Sequence, residues 1–365
     1  MGETSDAQVP DKQAGSHASS HEFSRFDQVD KPDYHLAEVA DGADAFNDDF
    51  EFTTVDLSKW LTGDAAERAE FVDQLGSAMH DIGFVILTGH GVDPSLFVEL
   101  DDAIEAFFDR PLDAKMPFRA ERYEAVSEGY FPITETSDIH PDLVEGWVFG
   151  RRAFGLEPGV VHDAPAFWPD PTAVPTFRRW VEAGTALFVP LMQAILTWVG
   201  CDPHLYDDRL TDPRFGLRLN WYPPYEGLDD GSGVGRLLGH EDIDVFTLLP
   251  APTTEGLQVL HRNGRWVRLD APPGSIIMNT GDYLQRLSND LLPSTTHRVS
   301  PPRDPADRMQ GRTSFPLAAY LPPDDILEAL PGTGEAKYEP IKVITFHTRT
   351  TAKFYGADYA VDETV

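Results

Sequence analysis

The strongest constraint on the fold is a series of short β-type segments that begins at about residue 215. Gly, Pro, Asp and Asn separate these segments, and those residues favour turns. In chain order the segments are GLRLNWY, VFTLL, LQVL, WVRL, SIIMN, STTHRVS and RTSFPLAAY. Many short strands at close spacing are typical of an antiparallel sandwich or barrel, so we expect a mainly β fold with helices packed around it.

Two helical patterns precede this β-rich part. Asp64 and Glu67 have the spacing of a capping box, and Asp93 with Pro94 forms a second helix start. The apolar residues that follow recur at helical spacing, which places them on the side of each helix that faces the core. These residues are Phe71, Leu75, Ala78, Met79 and Ile82 in the first helix, and Leu96, Leu100, Ile104, Phe107 and Phe108 in the second.

Further helical stretches lie later in the chain. The spacing predicts one long helix over residues 174–199, with Gly200 as its C-terminal cap. Pro190 lies inside this span, so we expect a kink or break near it. The segment DDILEAL after Pro322 and a segment at about 342–354 also have helical character.

These patterns divide the chain into four parts. Residues 1–50 are acidic and have little apolar periodicity, so we expect a flexible tail. Residues 51–200 form a helix-rich N-terminal region, and residues 201–323 form the β-rich core. Residues 324–365 form a C-terminal helical segment.

The net charge of −32 restricts the partners of this chain. So acidic a surface repels nucleic acid and anionic membranes, and no apolar run is long enough to predict a membrane span. The start of the chain lacks the pattern of a secretory signal, and a single cysteine, Cys201, excludes an internal disulfide. We therefore expect a cytoplasmic protein that acts on a small molecule and has no evident obligate protein partner.

A candidate metal site combines residues from two β-type segments. Alternate residues of an extended chain share a face, so His240 and Asp242 can point into a barrel while Glu241 points away. A second strand across the barrel can bring His297 to the same point. Two imidazoles and one carboxylate make the facial triad of non-haem Fe(II) oxygenases, which leaves coordination positions open. Spacing alone leaves two alternatives: Asp244 in place of Asp242, or two histidines that are merely hydrogen-bonded inside the barrel.

A candidate anion site lies on the β-type segment that follows His297. Arg312 and Ser314 share a face, and a guanidinium with a hydroxyl is a good receptor for a carboxylate. Asn220 and Tyr222, also two residues apart, can add hydrogen bonds to the same ligand. Arg312 taken alone could equally form an ordinary surface ion pair with one of the 61 acidic residues.

These residues resemble those of the isopenicillin-N-synthase-like family of Fe(II)/2-oxoglutarate dioxygenases. The resemblance runs from about Phe52 to Pro323. The N-terminal motifs that carry it are TTVDLSKW, DIGFVILTGHGV and AFFDRP. The C-terminal motifs are RLNWYPP, GHEDIDVFTLL, GLQVL, GDYLQRLSND, STTHRVSPP and RTSFPLAAYLPP.

The resemblance implies a double-stranded β-helix, or jelly-roll, core. It implies that His240, Asp242 and His297 are the iron ligands, with Asp242 preferred over Asp244. The implied enzyme couples decarboxylation of 2-oxoglutarate to succinate and CO2 with hydroxylation, desaturation or cyclisation of a small-molecule substrate. Its cofactors are Fe(II), 2-oxoglutarate and O2, with ascorbate as an optional reductant.

The same resemblance implies that Arg312 and Ser314 bind the distal carboxylate of 2-oxoglutarate, assisted by Tyr222 and Asn220. Glu241 departs from the Thr common in plant members. Isopenicillin N synthase itself reads His-Glu-Asp here, uses no 2-oxoglutarate and binds substrate with its Arg-x-Ser pair. An oxidase that acts without 2-oxoglutarate is therefore an alternative, as is a non-catalytic jelly-roll protein that binds a ligand.

The substrate cannot be identified from the sequence. Six residues from segments expected to border the mouth of the core are candidates for substrate contact. They are Phe131, Phe149, Arg151, Phe246, Tyr320 and Phe346.

Overall fold

The computed structural model of the chain describes residues 28–31, 45–133, 142–224 and 236–365, without the side chains of residues 354 and 355. Most of the expected flexible tail lies outside these ranges. Two described parts of it pack against the folded body instead. Val29 is buried, Lys31 pairs with Asp282, and Phe46 forms a β-bridge with Trp266. The tail prediction is therefore wrong for these residues.

Each of the β-type segments forms one or two of the described strands. The strands are β1 (Thr54–Asp56), β2 (Phe84–Thr88), β3 (Glu121–Tyr123), β4 (Val126–Phe131), β5 (Glu145–Phe149), β6 (Arg214–Tyr222), β7 (Leu237–His240), β8 (Phe246–Pro250), β9 (Leu257–Leu260), β10 (Trp266–Arg268), β11 (Ile276–Thr280), β12 (His297–Val299), β13 (Arg312–Ser314), β14 (Leu317–Tyr320), β15 (Ile326–Leu327) and β16 (Ile341–Lys342).

Two facing sheets form the jelly-roll core. Among the described residues the larger sheet has ten strands in the order β1-β2-β11-β8-β14-β6-β5-β4-β3, and β13 pairs with the end of β6. The smaller sheet has the order β10-β9-β12-β7. Strands from before residue 200 extend the larger sheet at both ends of the central block β11-β8-β14-β6, so the N-terminal region and the predicted core form one continuous sheet. The antiparallel core that the sequence predicted is confirmed.

Helices pack around the two sheets. They are α1 (Ser58–Thr62), α2 (Ala65–Ile82), α3 (Pro94–Phe108), α4 (Leu112–Lys115), α5 (Ala164–Phe167), α6 (Val174–Thr185), α7 (Phe188–Val199), α8 (Asp207–Leu210), α9 (Asp282–Leu287), α10 (Pro305–Arg308) and α11 (Val343–Tyr355). Of these, α2, α3 and α6 pack against strands of the larger sheet. Single 3₁₀ turns cover Met116–Phe118, Arg151–Phe154, Pro171–Ala173 and Ala357–Tyr359.

The predicted helix starts are confirmed. The Asp64 carboxylate accepts hydrogen bonds from the backbone N–H groups of Ala66 and Glu67, and the Glu67 side chain completes the capping box. The Asp93 carboxylate caps α3 at Ser95. The apolar stripes of both helices are buried as expected.

The long helix predicted over 174–199 is two helices, α6 and α7. The break lies at Ala186 and Leu187, so Pro190 falls in the first turn of α7. Proline is tolerated there because a first turn lacks intrahelical acceptors for its N–H groups. The stretch Pro171–Val199 is long and apolar enough to cross a membrane, but more than half of its most apolar part is buried inside the protein, as in a core helix.

The segment DDILEAL does not form the predicted helix. Ile326 and Leu327 form β15, which pairs with β16. Proline residues at 322, 323 and 331 bracket the segment and leave too few residues to nucleate a helix. The later helical prediction is confirmed by α11.

Candidate functional site

The two histidines of the predicted triad face each other across neighbouring strands. His240 ends β7, His297 begins β12, and the two residues are direct partners in the antiparallel ladder. The predicted placement of the two histidines on strands across the barrel is wrong, because β7 and β12 are neighbours in the smaller sheet. Asp242 lies in the connection that leads from β7 to β8 in the larger sheet.

The backbone fixes the orientation of both imidazole rings. His240 Nδ1 lies 2.9 Å from the carbonyl oxygen of Leu238, and His297 Nδ1 lies 3.1 Å from that of Thr295. A carbonyl can only accept, so Nδ1 carries the proton in each ring and Nε2 is left with a lone pair. Burial, reinforced by the neighbouring His297, lowers the pKa of His240 to about 4, which keeps it neutral and able to bind a metal.

The Asp242 carboxylate is held at one oxygen and directed at the imidazoles with the other. Thr247 Oγ1 and Asn279 Nδ2 each donate to Asp242 Oδ2, both at 2.8 Å. Asp242 Oδ1 lies 3.9 Å from Nε2 of His240 and 3.9 Å from Nε2 of His297. Burial acts to raise the pKa of this carboxyl, but the two histidines and the two hydrogen bonds outweigh it and lower the pKa.

These three side chains fit a single divalent ion. One ligand atom from each of His240, Asp242 and His297 lies within 4.8 Å of the other two. Two neutral imidazole nitrogens and one carboxylate oxygen are the donor set of non-haem Fe(II) centres, and three protein ligands leave coordination positions for other molecules. The hydrogen bonds to Nδ1 of each histidine and to Oδ2 of Asp242 hold the three ligands in the orientation that metal binding requires.

The two acidic neighbours of Asp242 are engaged elsewhere. Asp244 Oδ2 lies 2.7 Å from Thr247 Oγ1, and since the single hydroxyl proton of Thr247 goes to Asp242, Asp244 is the donor in this contact. Burial together with Asp242 raises the pKa of Asp244 well above its usual value, which agrees with a protonated carboxyl. Glu241 points away from the ligands, as expected: its carboxylate contacts Thr296 and lies 3.4 Å from Lys353 Nζ. The geometry therefore brings Asp242, and not Asp244, to the two histidines.

The predicted anion site forms at the junction of β13 and β6. Arg312 pairs with Tyr222 in the ladder, and Ser314 pairs with Asn220. Ser314 Oγ lies 3.1 Å from Asn220 Nδ2 and 3.4 Å from the Tyr222 hydroxyl. Arg312 is 2% exposed, and among the described residues its Nη1 has no hydrogen-bond partner. A buried guanidinium with an unsatisfied donor favours an anionic ligand, because an uncompensated buried charge is costly.

One cavity of about 1600 Å³, counting space open to solvent, contains both the triad and the anion site. Alternate residues of β6 form part of its wall: Gly216, Arg218, Asn220 and Tyr222. Two of the six substrate candidates, Phe131 and Tyr320, also line this cavity.

The other four substrate candidates lie elsewhere. Phe149 stacks on Trp168 at 3.9 Å between ring centroids, and Phe246 packs edge-on against Phe188. Both are core residues. Phe346 is fully buried beside Tyr283.

Arg151 is likewise not a residue of the main cavity. Its guanidinium binds both carboxylate oxygens of Asp212, at 2.7 and 2.9 Å, and also approaches Glu157. It borders a separate small pocket instead. The substrate predictions for Phe149, Arg151, Phe246 and Phe346 are therefore wrong.

Sequence reasoning missed other residues of the cavity wall. Arg218 shares the inward face of β6 with Asn220, and strand alternation could have identified it. His347 and Thr351 enter from α11, and only the fold places that helix beside the cavity.

Comparison with known proteins shows which family the chain belongs to. The family model described as "non-haem dioxygenase in morphine synthesis N-terminal" matches residues 52–171, and that of the 2OG-Fe(II) oxygenase superfamily matches residues 214–317. A 2-oxoglutarate-dependent dioxygenase, citB of Monascus ruber, is 30% identical over 68% of this chain and 80% of its own length. 2-Oxoglutarate-dependent dioxygenase 11 of rice (Oryza sativa subsp. japonica) is 29% identical over 86% and 87%.

Solved structures have the same fold. A full-length Neurospora crassa protein in complex with alpha-KG and thymine matches with a TM-score of 0.74 at 25% identity, over 87% of this chain and 100% of that one. The two family models, the relatives and the paired histidine and carboxylate ligands agree. The chain belongs to the 2OG-Fe(II) oxygenase superfamily and is a non-haem Fe(II)- and 2-oxoglutarate-dependent dioxygenase.

Proposed function

We propose that His240, Asp242 and His297 hold the catalytic Fe(II) of this dioxygenase. The observation that carries this assignment is the approach of three ligand atoms to within 4.8 Å of one another at the wall of the cavity. When bound, Fe(II) would supply the oxidising chemistry by which O2, 2-oxoglutarate and the substrate give the oxidised substrate, succinate and CO2. The protein contributes ligand orientation, a site for each organic molecule and exclusion of competing reactions.

Within this proposal Arg312 and Ser314 bind the distal carboxylate of 2-oxoglutarate. The free Nη1 of Arg312 and the Ser314 hydroxyl are the donors, and Tyr222 and Asn220 hold the hydroxyl in place. Support comes from the burial of Arg312, since a charge-assisted hydrogen bond in a buried site is stronger than one at the surface.

The substrate of this proposal is a small organic molecule that enters the same cavity. Phe131 and Tyr320 border the space beside the triad. We place the activity in a reducing cytoplasm, where the single cysteine, Cys201, stays a free thiol and iron stays ferrous.

Release of labelled CO2 tests the co-substrate. With Fe(II), O2 and carboxyl-labelled 2-oxoglutarate, the protein should form labelled CO2 and an equal amount of succinate, slowly without substrate and faster with it. Asp242→Ala should abolish both products, because it removes the anionic ligand. Oxygen consumption with an organic substrate but without succinate would instead identify an oxidase that does not use 2-oxoglutarate.

A further inference from the structure

A second arginine, Arg218, faces the cavity and has no acidic partner among the described residues. It lies on β6 between Gly216 and Asn220, on the strand face that forms the cavity wall. Its Nε donates to Asn220 Oδ1 at 2.8 Å. No carboxylate in the described part of the chain forms an ion pair with it.

This lack of a partner is unusual in such an acidic protein. The chain has 61 acidic and 29 basic residues, so an arginine readily finds a carboxylate. Arg214, four positions earlier on the same strand, contacts Glu157 and Glu124. Arg218 therefore presents an unneutralised positive charge to the cavity, which an anionic ligand can neutralise.

Arg218 and Arg312 start from different positions on the cavity wall. Arg312 is paired with Tyr222, which lies four residues along β6 from Arg218, so the backbone positions of Arg218 and Tyr222 are about 13 Å apart at the usual rise of a strand. Arg312 Nη1 has no hydrogen-bond partner among the described residues and is available to the distal carboxylate of 2-oxoglutarate. Arg218 can therefore bind a second anion.

The guanidinium of Arg218 lies beside Asn220, on the β5 side of β6. Arg218 Nη2 lies 3.5 Å from the position that a Cβ on Gly146 would occupy. Gly146 is on β5, and β5 and β13 pair with opposite edges of β6. Arg218 and Arg312 therefore serve separate regions of one cavity.

The surroundings of Arg218 are apolar. Val148 is its direct partner on β5, Phe131 is paired with Gly146, and both side chains line the cavity. A ligand held at Arg218 would thus meet a cation at one end and hydrocarbon or aromatic surface at its body.

The acidic residues of the cavity do not neutralise or block this site. Glu241 is paired with Lys353, and Asp142 accepts a hydrogen bond from the backbone N–H of Leu238. Asp242 belongs to the metal triad. Asp244 Oδ2 is engaged by Thr247 Oγ1 at 2.7 Å. An organic anion can therefore approach Arg218 without facing an unpaired carboxylate.

We propose that Arg218 is a specificity-determining residue that recognises the carboxylate of the oxidised substrate, and that the substrate is a small organic acid with an apolar body. This inference rests on the proposed function, because it assigns Arg312 to 2-oxoglutarate. Arg218 holds the acid group so that the apolar body extends along Phe131 and Val148.

The test uses protein loaded with Mn(II) and 2-oxoglutarate, which binds ligands without turnover. Calorimetry compares benzoate with benzamide, a neutral molecule of the same shape. Benzoate should bind at least about tenfold more tightly than benzamide, as expected for a charge-assisted contact. Arg218→Gln should remove that preference and leave the affinity for 2-oxoglutarate unchanged. Arg179→Gln, which removes the same charge from an exposed position on α6, should behave as wild type.

Other results overturn the inference in distinguishable ways. Equal affinity for the two probes, or no benzoate binding, shows that Arg218 does not select a carboxylate. Weaker 2-oxoglutarate binding in Arg218→Gln assigns the residue to the co-substrate. If wild-type protein fails to bind 2-oxoglutarate with Mn(II), the proposed function fails at the loading step, before either probe is added.

Discussion

At the scale of single residues, the metal site depends on hydrogen bonds that fix proton positions. The Nδ1 atoms of His240 and His297 face backbone carbonyls, and Asp242 Oδ2 takes both hydrogen bonds from Thr247 and Asn279. The remaining Nε2 and Oδ1 atoms converge. The sequence could indicate these ligands through strand alternation and resemblance. It could not indicate that Arg218 lacks an ion pair with the carboxylates of the described residues, because ion pairing depends on which carboxylates the fold brings near.

Arg312 gives the first prediction at this scale. Arg312→Gln should weaken 2-oxoglutarate binding by about 3 kcal/mol, or roughly a hundredfold, because a buried charged contact is lost. Arg312→Lys should lose less, since it keeps the charge but not the planar fork. Isothermal titration with Mn(II)-loaded protein measures this. Undiminished 2-oxoglutarate affinity in Arg312→Gln would refute the role, provided Mn(II) binding is normal.

His347 gives a pH-dependent prediction. Burial lowers the pKa of His347 to about 4, against 6.5 for an exposed histidine, so the folded state favours the neutral ring. Above the unfolded pKa this contribution to stability is complete. As pH falls from 6.5 towards 4 the unfolded chain takes up a proton that the folded chain does not, and the stability is lost.

The measurement is urea unfolding of the metal-free protein. Between about pH 7.5 and about pH 5, wild type should lose about 2 kcal/mol more than His347→Gln. Glutamine can keep a hydrogen bond to the Tyr283 hydroxyl, which lies 2.7 Å from His347 Nδ1. Identical pH dependence of the two proteins would show that His347 protonates freely in the folded state.

At the scale of elements, the sequence predicted local structure well where the signal is local. The Asp64 capping box and the β-type segments were recognisable because their patterns lie within a few residues. Other features depend on distant partners. β15 forms instead of the expected helix because it pairs with β16. Lys31 is held against the folded body by its ion pair with Asp282.

Close packing of α2 on α7 gives a prediction about helix contacts. A Cβ on Gly76 would lie 2.0 Å from the Trp198 ring. Gly76→Ala should therefore destabilise the protein by about 1–3 kcal/mol, although alanine is the better helix former. Ser77→Ala, at the exposed neighbouring position, is the matched control and should not destabilise. Equal unfolding midpoints of Gly76→Ala and wild type would mean that the helices can separate at little cost.

At the scale of the whole molecule, the charge of −32 opposes the approach of an anionic co-substrate. Arg312 acts only at short range, whereas the repulsion acts over a Debye length of about 10 Å at 0.1 M salt. Raising KCl from about 0.02 M to about 0.5 M should therefore speed 2-oxoglutarate association several-fold. Stopped-flow mixing of 2-oxoglutarate with the anaerobic Fe(II) protein measures the rate. A rate that falls with salt would mean that a local cationic field controls entry.

Two sheets, one connecting loop and a helical cover bring the triad and the anion site into one cavity. The sequence predicted the sheet class and the triad. It could not give the neighbouring placement of β7 and β12 or the entry of α11, because those follow from tertiary packing rather than from local pattern. Phe149, Phe246 and Phe346 lie away from the cavity wall for the same reason, since the burial of an aromatic residue depends on tertiary packing. Arg151 lies elsewhere because the fold pairs it with Asp212.

The most direct test of the central assignment is an anaerobic titration of the apo-protein with Fe(II) in the presence of 2-oxoglutarate, followed by visible absorption. Wild type should develop a metal-to-ligand charge-transfer band that saturates at one Fe(II) per chain. His297→Ala should not develop the band, while its circular dichroism matches that of wild-type apo-protein. A folded His297→Ala protein that forms the same band at the same stoichiometry would contradict the three-residue iron site.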